Sequence, residues 1–270
     1  MTLINFAHAN GFPAGSYHTF FQYFNQANNT SNTTTPYKMV ALDQYGHNNH
    51  FPVTNNWPHL VEELIHFVKQ QGEPVITMGH SFGGVISFIA ACKHPELFKG
   101  LIMLDPPVIT GIESWAIKLL KKTPYIDNIS PASKSKNRRQ FWPAETDLAK
   151  QFSRSKLFSN FDPRCLKDYV NSGVKLNKEQ LELVFDRQVE TEIFRNMPTN
   201  LAKFKQQLKI PAALITANQS DVSPAYFFKR FAKLNNNIER YHIDGGHMFP
   251  LEKPKETYEL IDNIIKSWGL

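Results

Sequence analysis

The stretch Gly79-His80-Ser81-Phe82-Gly83-Gly84 decides the fold, because it joins a short apolar run to a helical pattern. Pro74–Met78 predicts a buried strand, and Phe82–Lys93 predicts the helix that follows it. A direct turn from strand into helix crowds the backbone at Ser81, so the flanking positions must be small. The turn lifts the Ser81 hydroxyl clear of the sheet. It also places the Phe82 N–H at a helix N-terminus, where negative charge is stabilised.

Short apolar runs alternate with helical patterns on both sides of this turn. Such alternation predicts an α/β fold with a mostly parallel sheet of about six strands and helices on both faces. The runs are near-continuously apolar, as strands covered on both faces should be. The predicted strands are Leu3–His8, Lys38–Asp43, Pro74–Met78, Leu101–Leu104, Ala212–Thr216 and Ile238–Ile243.

The alternation stops once, between residues 107 and 210. That segment is too long for a structureless loop. Asp162-Pro163 predicts a helix start and Gly173 its end, whereas Lys178–Arg195 fits either a helix or a strand. We therefore expect a core of residues 1–108 and 210–270 and an inserted, mainly helical cap of residues 109–209.

The charge of the chain is concentrated in this predicted cap. The 270 residues carry a net charge of +6, and 41% are hydrophobic, which excludes disorder of the chain as a whole. Residues 111–209 hold 19 Lys and Arg against 11 Asp and Glu, a net of +8, so the remainder carries −2. No nucleic-acid-binding motif accompanies the charge, so we expect no nucleic-acid partner. The positive charge of the cap either keeps its helices solvated by water or attracts anionic substrates or a membrane surface to the cap.

Several features bear on compartment and processing. Cys92 and Cys165 lie in no metal-ligand spacing and are expected to be ordinary buried thiols. The first residues carry no basic leader, and no stretch approaches the length that spans a bilayer. The sequons at Asn28, Asn29 and Asn32 are expected to lie in a polar loop. These features favour a soluble, cytoplasmic protein without an integral membrane segment. We expect neither a cofactor nor a metal.

A serine at the strand–helix turn becomes a nucleophile only with a general base and an acid that orients it. His247, in the glycine-flanked loop after the last strand, is the candidate base. His80 is expected only to shape the turn. Asp221, after the fifth strand, is the candidate acid because it gives the chain order Ser, Asp, His. Asp105, after the fourth strand, is the alternative.

An acyl-transfer site also needs preorganised donors for the oxyanion. The loop Asn10-Gly11-Phe12-Pro13 follows the first strand. Pro13 has no N–H, so the N–H of Phe12 is the candidate donor, paired with that of Phe82.

These stretches together resemble the α/β-hydrolase superfamily over Met1–Pro107 and Ile210–Leu270. Members usually carry a β-hairpin before the first of these strands, but only Met1 and Thr2 precede Leu3, so the hairpin is expected to be missing. The matching motifs are Asn10-Gly-Phe-Pro13, Gly79-His-Ser-Phe-Gly-Gly84, Leu101-Ile-Met-Leu-Asp-Pro-Pro107 and Gly245-Gly-His-Met-Phe-Pro-Leu-Glu-Lys-Pro254.

The resemblance implies a serine hydrolase that works by acyl transfer. Ser81 stands where the dehalogenase and epoxide hydrolase branches carry aspartate, so we expect an acyl-enzyme that water resolves. The expected activity is carboxylic ester hydrolysis on small or medium apolar acyl esters, with a small-molecule substrate and water as partners. A carbon–carbon bond hydrolase, a thioesterase and an acyltransferase use the same side chains, and a non-catalytic ligand-binding member is the alternative of another class. The sequence does not specify an oligomeric state.

Overall fold

Six parallel strands form the central sheet of the protein, whose computed structural model describes residues 1–26 and 36–270. The polar loop predicted around Asn28–Thr34 lies outside these residues. In chain order the strands are β1 (Thr2–Ala7), β2 (Tyr37–Ala41), β3 (Val75–His80), β4 (Phe98–Leu104), β5 (Phe141–Pro143), β6 (Val174–Asn177), β7 (Gln180–Leu183), β8 (Ala212–Ala217) and β9 (Ile238–Ile243). The central sheet has the order β2-β1-β3-β4-β8-β9, which confirms the predicted parallel sheet.

Helices cover both faces of this sheet. In chain order they are α1 (His18–Gln26), α2 (Pro58–Lys69), α3 (Phe82–Lys93), α4 (Ile112–Leu120), α5 (Ile126–Ile129), α6 (Ala132–Lys136), α7 (Leu148–Ser153), α8 (Pro163–Gly173), α9 (Arg187–Arg195), α10 (Ala225–Leu234), α11 (Phe249–Glu252) and α12 (Pro254–Ser267). A short 3-10 helix, Ala14–Tyr17, leads into α1.

Alternate side chains of each strand enter two separate cores. In β1, Leu3 joins the core beneath α2, α3 and α10, whereas Ile4 joins the core beneath α1 and α12. This is the period of two that a strand buried on both faces requires. The two cores hold the sheet rigidly, and the carboxyl ends of its parallel strands emerge along one edge.

The segment between β4 and β8 contains α4 to α9 and a second sheet. This sheet is antiparallel, with three strands in the order β5-β7-β6. The insertion therefore contains a small sheet in addition to the helices that were expected. The ambiguous stretch Lys178–Arg195 holds both kinds of structure, since β7 gives way to α9. Asp186 separates them because its carboxylate accepts from the N–H groups of Gln188 and Val189 and so caps α9.

Within residues 1–26 and 36–270, no helix is at once long enough and apolar enough to cross a bilayer. Cys92 and Cys165 are free and buried, as expected, and burial raises the pKa of each thiol to about 12.

Candidate active site

Ser81 occupies a strained turn between β3 and α3. Its backbone has φ 55° and ψ −118°, a conformation that L-residues avoid. The neighbours leave no room for a side chain: a Cβ at Gly79 would lie 2.2 Å from the Gly83 carbonyl oxygen. A Cβ at Gly83 would lie 2.0 Å from the carbonyl oxygen of Ala7 in β1. The close approach of α3 to β1 and β3 therefore requires both glycines, and it holds Ser81 at the carboxyl end of β3.

His247 connects Ser81 to a carboxylate. Its Nε2 lies 3.0 Å from Ser81 Oγ, and its Nδ1 lies 2.7 Å from Asp105 Oδ2. An ionised carboxylate can only accept, so Nδ1 carries the proton and donates to Asp105. The unprotonated Nε2 is then free to accept from the Ser81 hydroxyl, which is the arrangement of a general base.

The carboxylate at His247 is that of Asp105, and this corrects the expectation for Asp221. Asp105 is fully buried, and its carboxylate also accepts from the Ser220 hydroxyl and, over 3.4 Å, from the Ala217 N–H. The loop after β8 thus supplies donors to Asp105 instead of the acid itself. Asp221, one residue beyond Ser220, is exposed to solvent.

The two backbone N–H groups expected to bind the oxyanion differ in whether they already have an acceptor. Phe82 is the first residue of α3, so its N–H has no acceptor within the helix. The N–H of Phe12, by contrast, donates to the Ala9 carbonyl over 3.0 Å in a tight turn. Gly11, at φ 79°, makes that turn possible. Of the pair expected from the sequence, Phe82 is ready to donate, and Phe12 must first release Ala9.

A chain of hydrogen bonds runs behind the Ser81–His247 pair. His80 Nε2 lies 2.9 Å from the His247 carbonyl, so Nε2 carries the proton and donates. His80 Nδ1 must then accept, and the hydroxyl of Tyr17 donates to it over 2.7 Å. The Tyr17 oxygen in turn accepts from the Ala9 N–H over 3.3 Å. The chain therefore joins the loop before Gly11 to the backbone of His247.

Burial fixes the protonation of this chain. Desolvation lowers the pKa of His80 well below its ordinary value and raises that of Tyr17. His80 is therefore neutral and Tyr17 protonated at neutral pH, as the hydrogen bonds require. The sequence analysis gave His80 only the shaping of the turn and assigned no role to Tyr17. Nothing in a single sequence places their polar atoms together.

His8 fixes Ala9 from the other side. Its Nε2 accepts from the Tyr45 N–H over 3.0 Å, so its Nδ1 donates to the Ala9 carbonyl, 2.8 Å away. Burial lowers the pKa of His8 to about 4, which keeps the ring neutral. The Ala9 carbonyl thus accepts from both His8 and Phe12. The His8 donor alone would keep this carbonyl paired without the Phe12 N–H.

The segment between β4 and β8 covers the loop of Gly11 with a charged cluster. Arg138 donates to Glu190 over 2.9 Å and also to the hydroxyl of Tyr169. The main-chain carbonyl of Glu190 accepts from the Asn10 side chain over 2.9 Å. A Cβ at Gly11 would meet the Glu190 carboxylate at 2.9 Å. The loop is therefore packed tightly beneath this ion pair.

Aromatic side chains extend the cover. The ring of Phe12 lies 5.0 Å from that of Tyr169, and Phe158 and Phe161 pack against Phe12 at 6.0 and 6.3 Å. These four rings are buried together in the core beneath α1 and α12. In the part of the chain that the structure describes, no group of three or more His, Cys, Asp or Glu side chains is arranged to hold a metal ion.

Comparisons with known proteins give one consistent family. The chain is 26% identical over 205 residues to a monoglyceride lipase homolog of Monkeypox virus, covering 72% of this chain and 61% of that protein. It is 24% identical over 202 residues to a type I acyl-CoA thioesterase of Penicillium roqueforti, covering 75% of this chain and 40% of that protein. The chain thus spans about half the length of these curated relatives.

A solved structure and a family model agree with these relatives. The peroxisomal alpha-beta-hydrolase of Saccharomyces cerevisiae superposes with a TM-score of 0.79 at 18% identity, covering 99% of this chain and 77% of that one. Residues 6–260 match the model of the Alpha/beta hydrolase family, a span that includes Ser81, Asp105 and His247. The chain therefore belongs to the alpha/beta hydrolase family.

Proposed function

We propose that the protein is a serine hydrolase that cleaves carboxylic esters with small or medium apolar acyl groups. The observation that carries the proposal is the continuous hydrogen-bonded row Ser81–His247–Asp105, with distances of 3.0 and 2.7 Å. It lies beside the N-terminus of α3, where the Phe82 N–H is available to an oxyanion.

In the proposed acylation each atom of the row has one role. His247 Nε2 takes the Ser81 proton as Oγ attacks the ester carbonyl carbon. The carbonyl oxygen becomes an oxyanion, which the Phe82 N–H stabilises. The imidazolium that forms is stabilised by the buried Asp105 carboxylate. His247 then returns the proton to the departing alkoxide, which leaves as an alcohol, and the acyl group stays on Ser81.

Deacylation repeats these steps with water. His247 Nε2 takes a proton from a water molecule as its oxygen attacks the acyl carbon, and the Ser81 oxygen departs with that proton. The acid product leaves and the site is restored. Phe12 lies in the loop that carries the second candidate oxyanion donor, and its ring packs against Phe158, Phe161 and Tyr169. We expect this aromatic cluster to favour apolar acyl groups over charged ones.

Thioester hydrolysis is a second candidate, because the type I acyl-CoA thioesterase is among the relatives. The same three side chains attack a thioester carbonyl, with a thiolate as the leaving group. The choice between the two depends on the leaving-group side of the site, which the triad geometry does not distinguish.

Labelling by a fluorophosphonate probe tests the nucleophile. Wild-type protein should be labelled covalently, and Ser81→Ala should not be. The exposed Ser159 provides a matched control, since Ser159→Ala should be labelled like wild type. Labelling that persists in Ser81→Ala, or none in folded wild type, contradicts the proposal and favours a non-catalytic ligand-binding protein.

A substrate panel then distinguishes the reactions. We expect hydrolysis of p-nitrophenyl acetate and butyrate, with kcat/KM reduced at least ~10³-fold in Ser81→Ala. Butyryl thioesters and a vinylogous diketone test thioester and carbon–carbon bond cleavage, and an added alcohol tests acyl transfer. Turnover of a thioester or diketone with no Ser81-dependent ester hydrolysis would replace the ester assignment.

A further inference from the structure

The helix α4 presents an apolar surface that nothing in the described chain covers. Its residues Ile112, Trp115 and Leu119 are 76%, 62% and 47% exposed. They stand at spacings of three and four, so they share one side of the helix. No residue of α4 is buried. A single exposed apolar side chain is ordinary, but several large ones on one helix face indicate a surface with a partner. We call these three residues the α4 surface.

The α4 surface is held in place by polar contacts on the other side of the helix. Glu113 accepts from Arg230 of α10 over 2.7 Å, and Arg230 also donates to the Thr110 carbonyl. At the far end, Lys121 donates to the Asn55 side chain over 3.0 Å. Both ends of α4 are thus tied to the rest of the protein. These contacts fix the orientation of α4, so its apolar side faces away from the rest of the protein.

The charge around the α4 surface is positive. Lys118 lies in α4 three residues after Trp115, and Lys122 lies in the turn that follows the helix; both are exposed. The acids nearest to them along the chain are already neutralised, Glu113 by Arg230 and Asp127 by Arg195. The net of +8 over residues 111–209 adds to this local excess. The surface therefore combines a protruding apolar ridge with unneutralised ammonium groups, which complements an apolar layer bounded by anions.

We propose that the α4 surface docks the protein on an anionic lipid bilayer. Ile112, Trp115 and Leu119 enter the boundary between headgroups and acyl chains, and the two lysines contact anionic headgroups. Trp115 suits this boundary because an indole has both an apolar body and an N–H. A second copy of this chain fits less well. A two-fold interface on this surface would bring Lys118 and Lys122 of both copies together.

The docking does not depend on the ester hydrolase assignment. The α4 surface and its two lysines lie outside the Ser81–His247–Asp105 row. Lipid binding can therefore be lost while ester hydrolysis is retained, and the reverse. If both hold, α4, which begins at Ile112 shortly after Asp105, brings the acyl-transfer site to the surface where apolar esters collect.

Sedimentation of the full chain with vesicles tests the proposal. We expect binding to phosphatidylcholine vesicles that contain phosphatidylserine, and much weaker binding to pure phosphatidylcholine. Trp115→Ser combined with Leu119→Ser should reduce binding at least ~10-fold. Lys118→Gln combined with Lys122→Gln should reduce it about 25-fold, at about fivefold per lysine. The matched control combines Leu157→Ser with Leu176→Ser, two leucines that are 48% and 65% exposed on other elements. It should bind like wild type.

Tryptophan fluorescence gives an independent measurement. Of the four tryptophans, Trp57 and Trp142 are buried and Trp268 is half-buried, so Trp115 is the one open to solvent. Emission should shift to the blue on anionic vesicles, and the shift should be absent in Trp115→Phe. Hydrolysis of p-nitrophenyl butyrate in solution should be unchanged in all these variants.

Three results would overturn the proposal. The first is equal binding to anionic and neutral vesicles, and the second is equal loss of binding in the Leu157/Leu176 control. The third is a wild-type dimer that becomes a monomer in Trp115→Ser/Leu119→Ser, without vesicle binding in either form. That last result would assign the surface to a second copy of the chain.

Discussion

His80 donates from Nε2 to the main-chain carbonyl of His247 over 2.9 Å, so the residue before Ser81 holds the backbone of His247. Tyr17 completes the link by donating to His80 Nδ1 over 2.7 Å. The position of the His247 backbone relative to Ser81 therefore depends on Tyr17 as well as on His80. Both side chains are fully buried, and we propose that they position His247 without touching the substrate.

Breaking this link should lower kcat more than it raises KM. In Tyr17→Phe, His80 Nδ1 and the Ala9 N–H both lose their partner, so His80 is less firmly oriented. We expect kcat for p-nitrophenyl butyrate to fall about tenfold, with KM within about twofold of wild type, since a small misplacement of reacting groups slows chemistry. His80→Gln, which retains a donor for the His247 carbonyl, should keep more activity than His80→Leu. Equal kcat in Tyr17→Phe and wild type, with only the melting temperature reduced, would leave Tyr17 a purely structural role.

The two candidate acids should differ sharply on substitution. Asp105→Asn keeps the shape of the side chain but offers a donor where His247 Nδ1–H needs an acceptor, so the imidazole takes the wrong tautomer. We expect a loss of about 10³- to 10⁴-fold in kcat. Asp221→Asn changes an exposed side chain and should leave kcat within about twofold of wild type. Steady-state kinetics at neutral pH decide between them, and a larger loss in Asp221→Asn would contradict the geometry.

The ion pair above the Gly11 loop should behave as a buried pair. The side chains of Arg138 and Glu190 are 21% and 9% exposed. Arg138→Met leaves the Glu190 carboxylate with the Ser135 hydroxyl alone, and we expect a loss of about 2–4 kcal/mol in the free energy of unfolding. Adding Glu190→Leu should restore most of that stability, because the uncompensated charge is then gone.

Urea unfolding of the single and double variants measures the coupling of this pair. The exposed pair Lys255–Glu259 supplies the comparison, where Lys255→Met should cost less than about 1 kcal/mol. Additive losses from Arg138→Met and Glu190→Leu would show that the two charges do not stabilise each other.

Glu63 should make the protein less stable as pH rises. Its carboxyl is buried in α2 and accepts from the Gly46 N–H over 2.9 Å, and burial raises its pKa from 4.5 to about 7. A carboxyl whose pKa is raised on folding binds its proton more tightly in the folded state. Its contribution is therefore fully present below pH 4.5 and is lost as pH rises to about 7.

Glu63→Gln removes this dependence. The variant should gain about 1–3 kcal/mol over wild type at pH 8, and a smaller amount at pH 5. Urea unfolding at the two pH values measures the difference. A gain that is equal at both would mean that the proton on Glu63 is not the cause.

The six parallel strands and the turn at Ser81 could be predicted from the sequence because their signals are local. Apolar runs separated by helical patterns specify parallel strands, and the glycines beside Ser81 specify a turn that admits no side chain. His247 was found by the same reasoning, since glycines flank it after a strand. In the insertion, patterns over three or four residues were too short to separate β7 from a helix.

The carboxylate that contacts His247 could not be predicted in this way. Asp105 and Asp221 both follow strands, and their order along the chain does not say which of them lies near His247. The local sequence nevertheless held a signal. Asp105 follows the apolar run Leu101–Leu104 directly and precedes two prolines, as a buried strand end would, whereas Asp221 lies in the polar stretch Asn218–Asp221. The His80–Tyr17 contact is different, since it joins residues 63 positions apart and only the folded chain brings them together.

The crossover from β4 to β8 tolerates a long insertion for a physical reason. These strands are parallel neighbours, with Leu101 opposite Ala212, so the chain must in any case return from one end of the sheet to the other. Loop-closure entropy grows only with the logarithm of length, so replacing a short helical crossover by about 100 residues costs roughly 2 kcal/mol. New material can therefore enter directly after Asp105 without disturbing the register of the core. The crossover between β4 and β8 can thus change in length at a small cost in free energy, while β4 and β8 stay paired.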